Sequence, residues 1–195
     1  MKLRNLFRPY IFIGVGSIVF ILATGVYFNW PHEHAQAISQ LAPEFVRISG
    51  YINTPNGQPV TLAQQHGSVT LLHFFRIGCQ ECQADMPFIN KMFSKYGPYG
   101  LKMIGVHSAE FDYEQKQGNV ETFVNQYAIK FPVVLDQTQA TFKMYNDMAW
   151  PKDVIVDRNG YIAYNHIGAG SEYDREMAIR TAMAQNATNS PTTQR

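Results

Sequence analysis

Cysteine is scarce in this chain: Cys79 and Cys82 are the only two among 195 residues. A bridge between residues so close closes a very small loop and stabilises little, so a structural staple is a poor reading. A four-cysteine zinc site is excluded, because no second pair exists to complete it. A c-type haem attachment site is excluded as well, because Gln83 and not histidine follows Cys82. Charge is sparse and balanced, with 16% charged residues and a net charge of +1. No basic excess marks a nucleic-acid binder, and no acidic run marks a disordered tail. Internal repeats are also lacking.

What the chain does have is apolar mass. Hydrophobic residues make up 46%, with 13 Phe and 11 Tyr, enough for one sizeable core. The length has room for one domain and an appendage. The appendage is at the N-terminus, where Lys2, Arg4 and Arg8 precede an uncharged run from Tyr10 to Phe28. A helix over that run would be about 28 Å long, close to the hydrocarbon core of a bilayer. Basic residues before it place the N-terminus in the cytoplasm and the rest outside; Tyr27, Phe28 and Trp30 suit the outer interface. A signal peptide cut after Ala35-Gln36-Ala37 is the competing reading, but the apolar run is longer than a usual signal core. The expected organisation is a basic start and signal-anchor transmembrane helix over 1–30, a linker over 31–41, a folded domain over 42–186 and a disordered tail over 187–195. His32 and His34 in the linker could bind a metal, although two histidines in a mobile segment more often bind nothing.

Within the folded part, residues 44–52 read as a strand, Pro55-Asn56-Gly57 as a turn and 59–62 as the return strand. Val69 to Phe75 is a near-continuous apolar run, as in a central strand covered on both faces. Gln80 to Tyr96 reads as a helix interrupted at Pro87, which removes a backbone donor. A strand over 101–107, a helix over 120–128, a short strand over 133–135 and a short helix over 138–145 follow. The Asp157–Gly160 turn then joins strands over 153–156 and 161–166, and a helix over 172–184 ends the pattern. Strands alternating with helices imply an α/β sheet flanked by helices.

A strand that delivers Cys-x-x-Cys to a helix start is a redox arrangement. Unpaired N–H groups and the positive end of the helix dipole meet at the first sulfur. They lower the pKa of Cys79 and favour the attacking thiolate, while Cys82, one turn on, resolves the mixed disulfide. Arg76 favours the Cys79 thiolate and Glu81 opposes it.

The chain resembles the thioredoxin-like proteins of the bacterial cell envelope, the TlpA/ResA type. It is most similar to the thioredoxin-like domain of DipZ-type cytochrome c biogenesis proteins. The likeness covers roughly residues 42–167 and rests on Ala42-Pro43-Glu44-Phe45, Ile52-Asn53-Thr54-Pro55, the Cys motif, the stretches 104–108 and 131–136, and Trp150-Pro151. It implies a thioredoxin fold, a central mixed sheet flanked by helices, with an extra N-terminal β-hairpin and an insertion around 108–119. It implies that Pro151 is the cis-proline facing the Cys motif and that Trp150 exposes its backbone to substrate; the bland alternative is a trans turn proline. His73 stands where the family usually carries a buried Asp that helps deprotonate the second cysteine. It could move that proton, or it could be a core histidine. By the same logic His73→Asp should keep activity. Asp85 matches a functional Glu of ResA-type proteins, or it is a solvated helix carboxylate. Gly78 and Phe75 replace family tryptophans, which implies a more open groove beside Cys79.

The resulting expectation is a membrane-anchored thiol–disulfide oxidoreductase outside the cytoplasm, with no cofactor and no metal. It reduces protein disulfides, apocytochrome c being one possibility. Its partners are disulfide-containing cell-envelope proteins and a membrane thiol–disulfide electron donor. Two rivals stay open: a disulfide-forming oxidase on the same fold, and a metal-handling module using the thiolates with His32, His34 or His166. A peroxiredoxin is disfavoured because Arg76 stands where its Thr-x-x-Cys signature needs threonine.

Overall fold

The computed structural model describes residues 40–146 and 149–185. The expected membrane helix over Tyr10–Phe28, the linker histidines and the tail lie outside the described residues. Among the described residues, no helix is long and apolar enough to cross a membrane.

Six strands form one mixed sheet: β1 (Tyr51–Ile52), β2 (Thr70–Phe75), β3 (Lys102–His107), β4 (Val133–Leu135), β5 (Lys152–Val156) and β6 (Ile162–Ile167). Their order is β1-β4-β3-β2-β5-β6. β2 and β3 run parallel, as do β3 and β4, while β5 and β6 are antiparallel additions on the other edge. Among the described residues, four α-helices cover the sheet: α1 (Gln80–Tyr96), α2 (Gln117–Gln126), α3 (Ala140–Met144) and α4 (Glu172–Ala184).

Every residue of β2 is buried, because the strand has neighbours on both edges and cores on both faces. Side chains alternate across a strand. Val69, Leu71 and Phe75 therefore join Cys82, Met86, Ile89 and Ile179 on one face, where α1 and α4 pack. Leu72 and Phe74 join Val154, Phe142 and Tyr145 on the other. Each such side chain contributes about 1.5–3 kcal/mol by leaving water. β2 therefore holds fixed the turn that follows it, and that turn carries Cys79.

α1 runs through Pro87 without the expected interruption. One missing donor does not break a helix whose Met86, Phe88, Ile89 and Met92 are buried on either side of it.

The N-terminal hairpin does not form. The Pro55–Gly57 turn is present, with Asn56 and Gly57 at positive φ. The return strand is absent because its donors are taken elsewhere. Glu44 accepts from the Leu62 and Ala63 N–H groups at 2.8 and 2.9 Å, and Gln64 accepts from Thr61 N–H. Pro59 has no donor to offer. β1 pairs antiparallel with β4 instead. The strand expected from residue 44 is cut short by Arg47, which sits at φ 53 and breaks the extended run.

Candidate functional site

Cys79 is the N-cap of α1, with extended backbone at φ −88 and ψ 116. Its Sγ accepts from the Cys82 N–H at 3.1 Å, so a donor of the first helical turn points at sulfur. Cys79 and Cys82 are joined as a disulfide, with Cα atoms 5.2 Å apart. Cys82 is fully buried in the core cluster under α1, whereas Cys79 is half-buried. Of the two cysteines, only Cys79 is partly exposed to solvent.

The Trp150–Pro151 peptide is cis, as the resemblance implied. The Trp150 carbonyl oxygen lies 3.8 Å from Cys79 Sγ. The indole stacks on Phe142, with centroids 4.3 Å apart and planes within 5°. The carbonyl beside the sulfur is thus held by a ring rooted in α3.

His73 and Asp85 belong to one buried ionic chain behind the cysteines. His73 is fully buried on β2, and its Nδ1 lies 2.8 Å from Asp153 Oδ1 on β5. Arg175 of α4 donates to Asp153 Oδ2 through Nε at 2.8 Å. The same guanidinium grips both carboxylate oxygens of Asp85 at 2.7 Å each and lies 4.4 Å from the centroid of the Phe88 ring. Asp85 is therefore no solvated helix carboxylate; it is almost wholly out of water. Burial opposes the Asp153 charge, but the hydrogen bond to His73 and the nearby Arg175 charge outweigh it and hold the carboxyl below its ordinary range. His73 Nε2 is buried and meets no hydrogen-bond partner among the described residues. Neither Asp153 nor Arg175 was singled out from sequence, since both lie far along the chain from the cysteines.

Glu114 is the third residue that sequence reasoning missed. It lies in the segment expected as an insertion, in a single helical turn over Asp112–Gln115, and is fully buried. Its carboxylate accepts from Gly78 N–H at 2.8 Å, Glu110 N–H at 2.7 Å and Phe111 N–H at 3.1 Å. Arg76 Nε donates to it at 3.2 Å. Burial opposes the Glu114 charge, yet these donors win and its pKa is lowered. Arg76 also pairs with Glu110 and lies between two rings, 5.0 Å from Phe111 and 5.3 Å from Trp150. Its charge is already met by two carboxylates and is not free to act on Cys79 alone.

The groove beside Gly78 is not open. A Cβ there would run into the Tyr113 hydroxyl and the Glu114 carboxylate. The insertion fills the space that a larger side chain at position 78 would occupy. His166, a candidate in the metal reading, stacks on Tyr164 on β6. No group of three metal-ligating side chains forms among the described residues.

The profile of the AhpC/TSA family matches residues 38–165. The chain belongs to the AhpC/TSA family. Within that family's reach, it is 32% identical to Protein DipZ of Mycobacterium bovis over 139 residues, 71% of this chain and 20% of DipZ. It thus spans about a fifth of the length of the DipZ proteins it matches. It is 29% identical to the thiol-disulfide oxidoreductase ResA of Bacillus thuringiensis over 168 residues, 86% of this chain and 90% of ResA. Among solved structures, it resembles a putative thiol:disulfide interchange protein DsbE from Chlorobium tepidum. That match has a TM-score of 0.65 at 27% identity and covers 74% of this chain and 96% of the other. The fold is thioredoxin-like, and the family resemblance read from the motifs holds.

Proposed function

We propose that this chain is a thiol–disulfide oxidoreductase anchored in the bacterial cytoplasmic membrane, with its redox domain facing the periplasm or cell exterior, that reduces protein disulfides. The single observation that carries the reading is the placement of Cys79. Its sulfur caps α1, stands beside the Trp150 carbonyl and is the reachable member of the pair. The names carried by ResA and DsbE-type relatives agree with that chemistry.

In the reduced protein, the Cys79 thiolate attacks one sulfur of a substrate disulfide and releases the other as a thiolate, which takes up a proton. Cys82 loses its proton and attacks Cys79 Sγ. The second substrate thiolate leaves, and the Cys79–Cys82 disulfide remains. Two electrons and two protons pass to the substrate. Asp85 fixes the helix that carries both sulfurs by its grip on Arg175. His73, whose Nε2 has no hydrogen-bond partner among the described residues, is the candidate acceptor of the Cys82 proton. Apocytochrome c is a candidate substrate, and a membrane thiol–disulfide protein the electron donor that resets the pair. The run Tyr10–Phe28 supplies the anchor.

The reduction potential of the full chain in detergent tests the reading. A value near that of thioredoxin, about −270 mV, is expected; one near −120 mV would mark a disulfide-forming oxidase instead. Membranes washed with carbonate should retain the protein, and a reporter active only outside the cytoplasm, fused after Arg195, should be active. Loss of the protein in the wash, or a silent reporter, would remove the anchored, outward-facing part of the proposal.

A further inference from the structure

Among the features that the mechanism does not use, a buried carboxylate and an exposed pair of aromatic rings are connected. Glu114 is wholly out of water, though it belongs to a loop. Its partners lie in two places: Arg76 and Gly78 in the Cys turn, and the loop residues 110, 111 and 113. That loop displays Phe111 and Tyr113, which are 51% and 47% exposed, with rings stacked within 8° of parallel. Paired exposed aromatics are costly to keep in water, and such rings are enriched where proteins bind other chains. The surface does not end at the loop. Phe111 lies against Arg76, Arg76 against Trp150, and the Trp150 carbonyl adjoins Cys79 Sγ.

We propose that Glu114 is a positioning residue for exchange at Cys79: it holds Phe111 and Tyr113 as a docking ledge for the polypeptide that flanks the substrate's disulfide. The occupant is an extended peptide segment, because the ledge continues into the Trp150 backbone carbonyl beside the reactive sulfur. Such a segment can lay its main chain against Trp150 and its apolar side chains on the rings. A carboxylate suits the clamp because all its contacts in the two segments are donors. An amide would accept from Gly78 but turn an N–H toward the Glu110 and Phe111 N–H groups, and the ledge would come loose.

The inference rests on the exchange reading above, and two disulfides of different size separate them. The full chain, reduced and in detergent, is assayed against insulin and against hydroxyethyl disulfide, which has no flanking polypeptide. In Glu114→Gln the ratio of insulin rate to hydroxyethyl disulfide rate should fall about tenfold, through a raised KM for insulin, as for loss of an aromatic hot spot. The double variant Phe111→Ala/Tyr113→Phe, which removes one ring and the Tyr113 hydroxyl, and the single variant Phe111→Ala, which removes a ring that makes no hydrogen bond to Glu114, should each lower the same ratio while the buried carboxylate stays in place. An unchanged ratio in Phe111→Ala, or an equal loss on both disulfides in Glu114→Gln, would overturn the ledge. Wild-type protein inert toward both disulfides would sink the exchange reading and the ledge with it.

Discussion

Arg175 holds Asp85 through two parallel hydrogen bonds at 2.7 Å, with both side chains almost wholly out of water. The pair ties α4 to the helix of the cysteines, and the same guanidinium extends to Asp153. Breaking a buried ion pair leaves an uncompensated charge. Arg175→Leu strands two carboxylates and should lower stability by about 3–5 kcal/mol. Asp85→Asn keeps an acceptor and should cost less, about 1–3 kcal/mol. Urea unfolding followed by tryptophan fluorescence orders the two; a larger loss for Asp85→Asn would contradict the network as described.

The contact between His73 and Asp153 reverses one expectation from sequence. With Asp153 Oδ1 2.8 Å from the His73 ring, His73→Asp would set one carboxylate against another. That variant should be less stable than wild type, not a functional substitute. His73→Leu leaves Asp153 paired with Arg175 and should fold. It should slow insulin reduction roughly ten- to a thousandfold, within the usual range of a general base. A folded His73→Leu protein with wild-type rates from pH 6 to 8 would leave His73 as packing alone.

The two thiols should differ in reactivity. Cys79 accepts a helix N–H and is reachable, while Cys82 is fully buried. Limiting iodoacetamide at mildly acidic pH should label Cys79 first, and mapping the adduct on the reduced protein checks it. Preferential modification of Cys82 would reverse the roles of attacker and resolver.

Stability should also depend on pH through His107, at the end of β3. Burial pushes its pKa down to about 4; the Glu114 charge raises it and Arg76 lowers it, without restoring the ordinary value. Between pH 6.5 and 4 the unfolded chain takes up this proton before the folded one does, so stability falls with falling pH across that window. The full effect is roughly 3 kcal/mol. Chemical denaturation at pH 7, 5.5 and 4.5 should show the decline, and His107→Phe should flatten it. A decline of the same size in His107→Phe would assign the window to other groups.

Local patterns made much of the fold legible. The bounds of α1 and α4 agree with the spacing of apolar residues, and Gly97 follows the last residue of α1. The run of buried residues in β2 is visible as an unbroken apolar stretch. The missing hairpin shows where such patterns end. Glu44, eighteen residues before Leu62, takes the backbone donors that a return strand needs, and no periodicity records a side chain competing at that range. Asp85 reads either way in the sequence for the same reason: its own helix does not decide it, and only Arg175, ninety residues on, removes it from water. Glu114 left no signal beyond its place in an insertion, because most of its partners are N–H groups that every residue but proline carries.

The fit of Gly78 under Tyr113 and Glu114 makes the Cys turn and the 110–115 loop a single interchangeable part. A graft that brought a tryptophan-bearing Cys turn into this chain would have to displace the Tyr113 hydroxyl and the Glu114 carboxylate, and with the carboxylate the hydrogen bond that ties positions 78 and 114 together.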